Sequence, residues 1–160
     1  MIRIRDEIEN IVKKENLDRK RIFEVSHLKY RKIIDKIIDT FLLKNSPRYW
    51  HYTKSQNEII HWANIDGRIN ASEYVVKAES EFTYRDLADI LPDSEPFYVL
   101  LEDWNDKYWL YEMYAGEIVT VLDNLGYGDY YIVSKKFNWL ISEDHHQGIH
   151  FAGDIAKKVK

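Results

Sequence analysis

The feature that most constrains the fold is a pair of apolar segments in the second half of the chain. Residues 96–104 (PFYVLLEDW) begin with a proline and are apolar almost throughout, which is typical of a buried strand. Asn105 and Asp106 favour a turn. Residues 107–114 (KYWLYEMY) supply a second strand, so the sequence predicts a β-hairpin.

A helix and a second hairpin follow this first one. Apolar residues recur at helical spacing before Gly126, which is in the position of a helix-terminating glycine. Residues 129–133 (DYYIV) and 138–142 (NWLIS) then read as two more strands. The helical apolar residues are Ile118, Val121, Leu122 and Leu125. The second half is therefore predicted to be ββαββ.

The N-terminal part of the chain is predicted to be helical. One helix carries a single apolar face, and a second begins after Ser26, a good N-cap, and continues to about Lys44. In the second helix, apolar pairs recur every four residues. The first face comprises Ile4, Ile8, Ile11 and Val12, and the second stripe comprises Ile33, Ile34, Ile37, Ile38, Phe41 and Leu42.

Residues 48–82 fit no regular period. Asn70 with Glu73 could form a capping box that opens a short helix, and Thr83 with Asp86 predicts a similar start for a helix that Pro92 closes. We therefore expect one α+β domain over residues 1–160, with N-terminal helices packed on one face of an antiparallel sheet. Apolar residues make up 45% of the chain and charged residues 31%, which is globular composition.

Several classes of protein are disfavoured by what the sequence lacks. Without cysteine, the chain has neither a disulfide framework nor a thiolate metal site. The charged first twenty residues do not resemble a signal peptide, and we expect a cytoplasmic protein of a bacterium or similar cell, without membrane association. No phosphate-binding loop, nucleotide fingerprint or nucleophile elbow is present, so we expect no cofactor and regard catalysis as the less favoured possibility.

Charge is segregated along the chain. Residues 1–48 carry thirteen Lys and Arg against eight Asp and Glu, whereas residues 93–129 carry nine acids against the single base Lys107. Such segregation can produce a local field that steers a charged partner, although internal pairing and solvation explain it equally well. With a pI of about 5.9, nucleic-acid binding is not expected.

The acidic segment is also rich in aromatic residues, which are common anchors of protein interfaces. Core packing is an equally good interpretation of Trp109 and Tyr111. The candidate partner-binding residues are Glu102, Asp103, Trp104, Asp106, Trp109, Tyr111, Glu112 and Tyr114.

A second hypothesis is a metal-dependent enzyme. His145, His146 and His150 follow Glu143 and Asp144, and imidazoles and carboxylates are the ligands that zinc accepts. The i, i+4 spacing of His146 and His150 would converge on a metal only in a helix, and Gly148 argues against one. A loop at a strand end is the favoured interpretation.

A third hypothesis is an oligomerising domain that uses the stripe around Ile33 and Ile37.

The block YYIVSKKFNWL at residues 130–140, followed by Glu143-Asp144-His145-His146, resembles a recurring element of small uncharacterised bacterial proteins. The resemblance covers the chain from about residue 96 to its end and leaves the N-terminal helices unmatched. Proteins of this type resemble bacterial immunity proteins, including those of the SUKH-type superfamily. The resemblance implies a non-catalytic protein whose acidic, aromatic surface blocks a basic partner such as a toxin domain, and it brings no catalytic residues with it.

Overall fold

A seven-stranded antiparallel sheet organises the part of the chain that the computed structural model describes, which is residues 3–41, 73–103, 107–126, 129–143 and 148–160. Its strand order is β1-β4-β3-β5-β6-β7-β2. The strands are β1 Ile22–Glu24, β2 Tyr74–Ala78, β3 Pro96–Asp103, β4 Lys107–Tyr114, β5 Tyr130–Val133, β6 Trp139–Glu143 and β7 Gly148–Gly153. The helices are α1 Ile4–Lys14, α2 His27–Phe41, α3 Leu87–Ile90 and α4 Ala115–Leu125, with 3-10 turns at Tyr84–Asp86 and Asp154–Lys158.

The two predicted hairpins form the middle of this sheet. Strands β3 and β4 pair along their full length, from Pro96 opposite Tyr114 to Asp103 opposite Lys107. After α4 the chain returns to the other side of β3 as β5, which pairs with β6. The α+β class, the N-terminal helices and the ββαββ order are therefore confirmed.

One face of the sheet is covered by α1, α3 and α4. Alternate residues of the strands point toward these helices, as the two-residue period of a strand requires. In β3 these residues are Phe97, Val99 and Leu101, all almost completely buried. They pack together with Ile8, Val12, Ile118 and Val121 of the helices.

The opposite face is covered by α2, which corrects our expectation that all helices pack on one face. Leu100, Leu110 and Val133 point away from α4, so the strands are apolar on both faces of the sheet. Such strands are stable only when both faces are covered by other elements. The α2 residues Ile34 and Ile37 fill this second core. Ile38 is also buried and Ile33 is partly buried there, so the stripe proposed for oligomerisation packs on the protein's own sheet.

Two of the finer predictions are confirmed. Thr83 and Asp86 form the predicted capping box ahead of α3, and Gly126 ends α4 with a positive φ of 78°. The short helix that Asn70 and Glu73 were predicted to open falls mainly outside the described residues; Glu73 has 3-10 conformation, and Tyr74–Ala78 is the edge strand β2, which pairs with β7. Asn70 and the predicted end of α2 at Lys44 lie outside the described residues.

Strands β1 and β7 were not predicted. The segment around His150 was expected to be a loop, but Ile149 and Phe151 are buried and pair with β6, which makes it a strand. Strand β1 is only three residues long, which is too short for the two-residue alternation of a strand to be recognised.

None of the helices described is both long and apolar enough to cross a membrane.

Gly153 gives a direct test of this arrangement. Its φ is +90°, and a Cβ added there would lie 2.3 Å from the Asn138 carbonyl oxygen. We expect Gly153→Ala to lower the free energy of unfolding by about 3 kcal/mol or more, because the contact is with backbone. Gly126→Ala is the control: its φ is +78° but no described residue lies within 4 Å of the added Cβ, so a loss of about 1 kcal/mol is expected. Urea denaturation measures both, and equal losses would contradict the contact.

Candidate binding pocket

Three of the predicted partner-binding residues lie in the interior. Trp109 and Tyr111 are each 5% exposed and pack in the core with α1, and Asp103 is 9% exposed. The Trp109 indole Nε1 donates a hydrogen bond of 2.8 Å to the Asp103 carboxylate. This bond satisfies a buried donor and gives the acid a structural partner. These side chains are therefore core residues rather than exposed contacts.

Two further predicted residues are held by cations of the same molecule. The Glu112 carboxylate forms an ion pair with the Lys135 ammonium group. The Tyr114 ring is half-buried, and the Arg21 guanidinium carbon lies 4.2 Å from its centroid, within the range of a cation–π interaction. Trp104 and Asp106 lie outside the described residues.

Ion pairs within the molecule neutralise much of the charge that is segregated along the chain. Arg21, from the basic N-terminal part, lies 2.7 Å from an Asp93 oxygen and 2.9 Å from a Glu117 oxygen. In the same way, Arg85 lies 2.9 Å from Asp123. Together with Glu112, at least four acids of the segment 93–129 therefore form ion pairs within the molecule: Asp93, Glu112, Glu117 and Asp123. The acidic surface predicted from the sequence is correspondingly reduced.

Carboxylates nevertheless converge around one pocket. It has a volume of about 360 Å³ and lies at the end of the sheet where β3 ends and β5 begins. Of the predicted partner-binding residues that the structure describes, Glu102 alone lines it. The four acids of its wall are Glu79, Glu102, Asp129 and Glu143, and the other lining residues are Ile4, Thr83, Tyr84, Arg85, Leu101, Leu122, Leu125, Gly126 and Tyr130.

Strand register explains why these acids meet. Because β3, β5 and β6 are antiparallel neighbours, the end of β3 lies beside the start of β5 and the end of β6. Tyr130 pairs with Leu101 on one side and with Glu143 on the other. The Asp129 N–H donates to Glu102 Oε2 at 3.1 Å, which joins the first two strand ends.

The Tyr130 hydroxyl is the unusual group of this wall. The residue is 3% exposed, and its hydroxyl is shielded from solvent and interacts with the Glu143 carboxylate. Burial, followed by the negative charge of Glu143 and its hydrogen-bonding interaction with the hydroxyl, raises the pKa of the phenol well above its ordinary value. The side chain is therefore a neutral, buried polar group next to Glu143.

Tyr84, Arg85 and Asp123 form a second polar group at this pocket. The Tyr84 hydroxyl donates to the Asp123 carboxylate at 2.6 Å, and Arg85 donates to the same oxygen at 2.9 Å. The Tyr84 hydrogen bond and the Arg85 charge both lower the pKa of Asp123. The Arg85 guanidinium thus enters the pocket already paired with a carboxylate.

Sequence reasoning missed most of this pocket. Asp129 entered the charge count and a predicted strand, Glu143 the metal hypothesis and the family resemblance, and Tyr130 the same strand and the same resemblance. The available signal was position, since each of the three is at the first or last residue of a predicted strand or next to it. Strand order, which brings these ends together, could not be read from the sequence.

One of the three histidines of the metal hypothesis lies in the described part of the chain. His145 and His146 lie outside the described residues, and His150 is in β7, where its Nδ1 lies 2.5 Å from the Tyr74 hydroxyl. Among the described residues no three His, Asp or Glu side chains are grouped so as to hold a metal ion. The strand conformation of residues 148–153 removes the helical geometry that would have aligned His150 with His146.

Comparison with protein families gives one match. The model for a family of unknown function, DUF6756, matches residues 1–160. The chain belongs to this family. Neither the curated proteins nor the solved structures that were searched contain a match to this DUF6756 chain. The family carries no assigned activity, so an argument about function has to start from the geometry of the pocket.

Burial of the tyrosines predicts a distinctive alkaline titration. Burial raises the pKa values of Tyr108, Tyr111 and Tyr130, whereas tyrosines of the unfolded chain ionise near pH 10, roughly. Above that pH the unfolded state binds fewer protons than the folded state, so the free energy of unfolding falls as pH rises. Phenolate absorbance should rise in two phases, the second coinciding with loss of the near-ultraviolet circular dichroism.

Tyr111→Phe is the matched variant for this titration. It should remove amplitude from the second phase only, because Tyr111 is a core residue. A single phase near pH 10, roughly, with native circular dichroism throughout, would show that these side chains are accessible.

Proposed function

We propose that this protein is a non-catalytic binding protein that holds and blocks a basic protein partner, in the manner of bacterial immunity proteins. The observation that supports this proposal is the convergence of four carboxylates on one pocket. The proposal includes a bacterial, cytoplasmic setting and a toxin domain as partner, and both come from the resemblance of the C-terminal block.

Electrostatics supports a cationic partner. A concave surface lined with one sign of charge focuses its field and raises the local concentration of an oppositely charged group. The only cation among the lining residues that the structure describes is Arg85, and Asp123 compensates its charge. A lysine or arginine side chain of the partner would enter a region of negative potential. Such complementarity mainly increases the association rate and the specificity of a complex.

The proposed interface differs from the surface predicted from the sequence. Glu102 remains, whereas the core residues Trp109 and Tyr111 are replaced by the partly buried Tyr84 as the aromatic residue beside the carboxylates. A tyrosine in this position provides apolar contact area together with a polar group.

A paired set of variants tests the proposal in a pull-down from the native host. The purified chain should retain a basic protein at low salt and release it at high salt, because exposed charges are screened. Glu102→Gln/Glu143→Gln should lose that partner. Asp89→Asn/Glu95→Gln makes the same change in net charge at exposed positions outside the pocket and should retain it. Equal retention by both variants, or retention that is insensitive to salt, would contradict the proposal.

A further inference from the structure

We propose that β1 is the site at which two copies of this chain associate edge to edge, so that the sheet continues from one copy into the other. Among the described strands β1 is at one end of the strand order, with β4 on one side and an open edge on the other. Its residues do not line the pocket of the proposed function. Association through β1 is therefore independent of that function.

The open side of β1 carries backbone groups without a partner. The Val25 N–H donates to the Leu110 carbonyl at 3.0 Å, so the Val25 backbone faces β4. Hydrogen-bonding direction alternates along an antiparallel strand. The Phe23 backbone therefore also faces β4, whereas Ile22 and Glu24 direct their N–H and C=O groups away from it. No described residue meets these outward groups, and an edge of this kind is a template for another strand.

Two exposed apolar side chains accompany this edge. Phe23 is 42% exposed, and its side chain points to the face of the sheet that α2 covers, as does that of Val25 two residues later. Leu28, in the first turn of α2, is 90% exposed. Single exposed apolar residues are common, but a phenylalanine and a leucine close together in the chain, beside unpaired backbone groups, are typical of a contact surface.

The opposite edge of the sheet, β2, is partly closed by the chain itself. The Ala78 N–H donates to Glu81 Oε1 at 3.2 Å, and the Ala78 carbonyl accepts from the N–H groups of Glu81 and Phe82. Lys77 adds a charged side chain to the same strand. Charged residues and local closure are ways in which proteins protect a sheet edge from pairing. Of the two edges described, β1 is therefore the one available for association.

A second copy of the same chain fits this edge. If a two-fold axis relates two antiparallel β1 strands at Phe23, Ile22 of each copy lies opposite Glu24 of the other. These are the residues with outward backbone groups, so each opposed pair exchanges both of its hydrogen bonds. Phe23 then lies opposite its own equivalent in a non-hydrogen-bonded pair, where side chains approach most closely. The two-fold arrangement thus covers the exposed ring and satisfies the open backbone together.

Charge agrees with this register. Glu24 lies opposite Ile22 and not opposite a second Glu24, and its carboxylate is held by Arg5 at 2.8 Å. Like charges directly opposite each other would destabilise a strand pair, and this register avoids them. Lys20 is exposed and precedes β1, whereas Glu24 ends it. Antiparallel association therefore brings the basic end of one strand beside the acidic end of the other.

Sedimentation equilibrium of the full chain over a concentration series tests the association. We expect the mass to rise from 19.3 kDa toward twice that value. Glu24→Pro removes an N–H that faces away from β4, a position at which an edge strand tolerates proline. It should weaken association by about tenfold or more, a difference of about 1.4 kcal/mol. Glu24→Ala loses the same ion pair with Arg5 but keeps the N–H, so it should associate as the parent chain does.

A monomeric mass at every concentration up to about 1 mM would overturn the inference, because a dissociation constant above this value corresponds to less than about 4.1 kcal/mol. Equal association of Glu24→Pro and Glu24→Ala would also overturn it.

Disulfide formation tests the register and does not depend on the proline variant. The chain has no cysteine, so Phe23→Cys introduces a single thiol. Residues in a non-hydrogen-bonded pair have Cα atoms about 4.5 Å apart, within the range that a disulfide spans. Phe23→Cys should form a covalent dimer at least about tenfold faster than Val76→Cys, whose position is similarly exposed at the other edge. Equal rates of the two variants would overturn the inference.

The pocket variant separates this association from the proposed function. Glu102→Gln/Glu143→Gln should leave the association of the two copies unchanged, because neither residue lies in β1. If the chain stays monomeric and Glu24→Pro loses the basic protein retained in the pull-down, the edge binds a strand of that partner, which overturns self-association. Association of the copies without any retained basic protein would support self-association and count against the proposed blocking function.

Discussion

Burial of both faces of the sheet is the constraint on which the rest of the structure depends. In β3 and β5, large apolar side chains point alternately toward α4 and toward α2, so neither face of the central strands can be left in water. Exposing either face would cost about 25 cal/mol for each Å² of apolar surface. Helix α2 therefore has to lie opposite α1 and α4. The ends of the central strands are then the place where polar residues can gather, and the pocket lies at one of those ends.

The electrostatic organisation follows from that packing. Arg21 immediately precedes β1 and reaches Asp93 and Glu117, so the first part of the chain neutralises acids of the second half. Acids of the strongly negative segment 93–129 thereby form ion pairs within the molecule. At the pocket, the strands β3, β5 and β6 bring Glu102, Asp129 and Glu143 together. Surface ion pairs contribute little stability individually, whereas clustered carboxylates in a concavity produce a field that a cationic ligand experiences.

Local sequence patterns predicted the elements whose signals are themselves local. The hairpins, α4 with Gly126, and the capping box at Thr83 each depend on residues close together in the chain, and all are confirmed. Strand β7 is the hairpin partner of β6, and it was missed because its histidine and glycine were interpreted as a loop. Strand β1, which pairs with β4, and the side of the sheet on which α2 lies depend on contacts between distant segments, so a single sequence does not contain them in readable form. The same reason applies to the pocket: Glu102 was identified, but its meeting with Glu143 requires the strand order.

A cationic side chain of the partner is proposed to bind where β3, β5 and β6 meet at the pocket, and not around Glu112 and Tyr114. Amide chemical shifts measured by nuclear magnetic resonance during addition of agmatine, a small guanidinium compound, locate the site. The largest perturbations are expected on Gly126, Asp129, Tyr130 and Glu143, with little change at Glu112 or in α2. Perturbations centred on Glu112 and Tyr114, or distributed evenly over exposed acids such as Glu95, would contradict the claim.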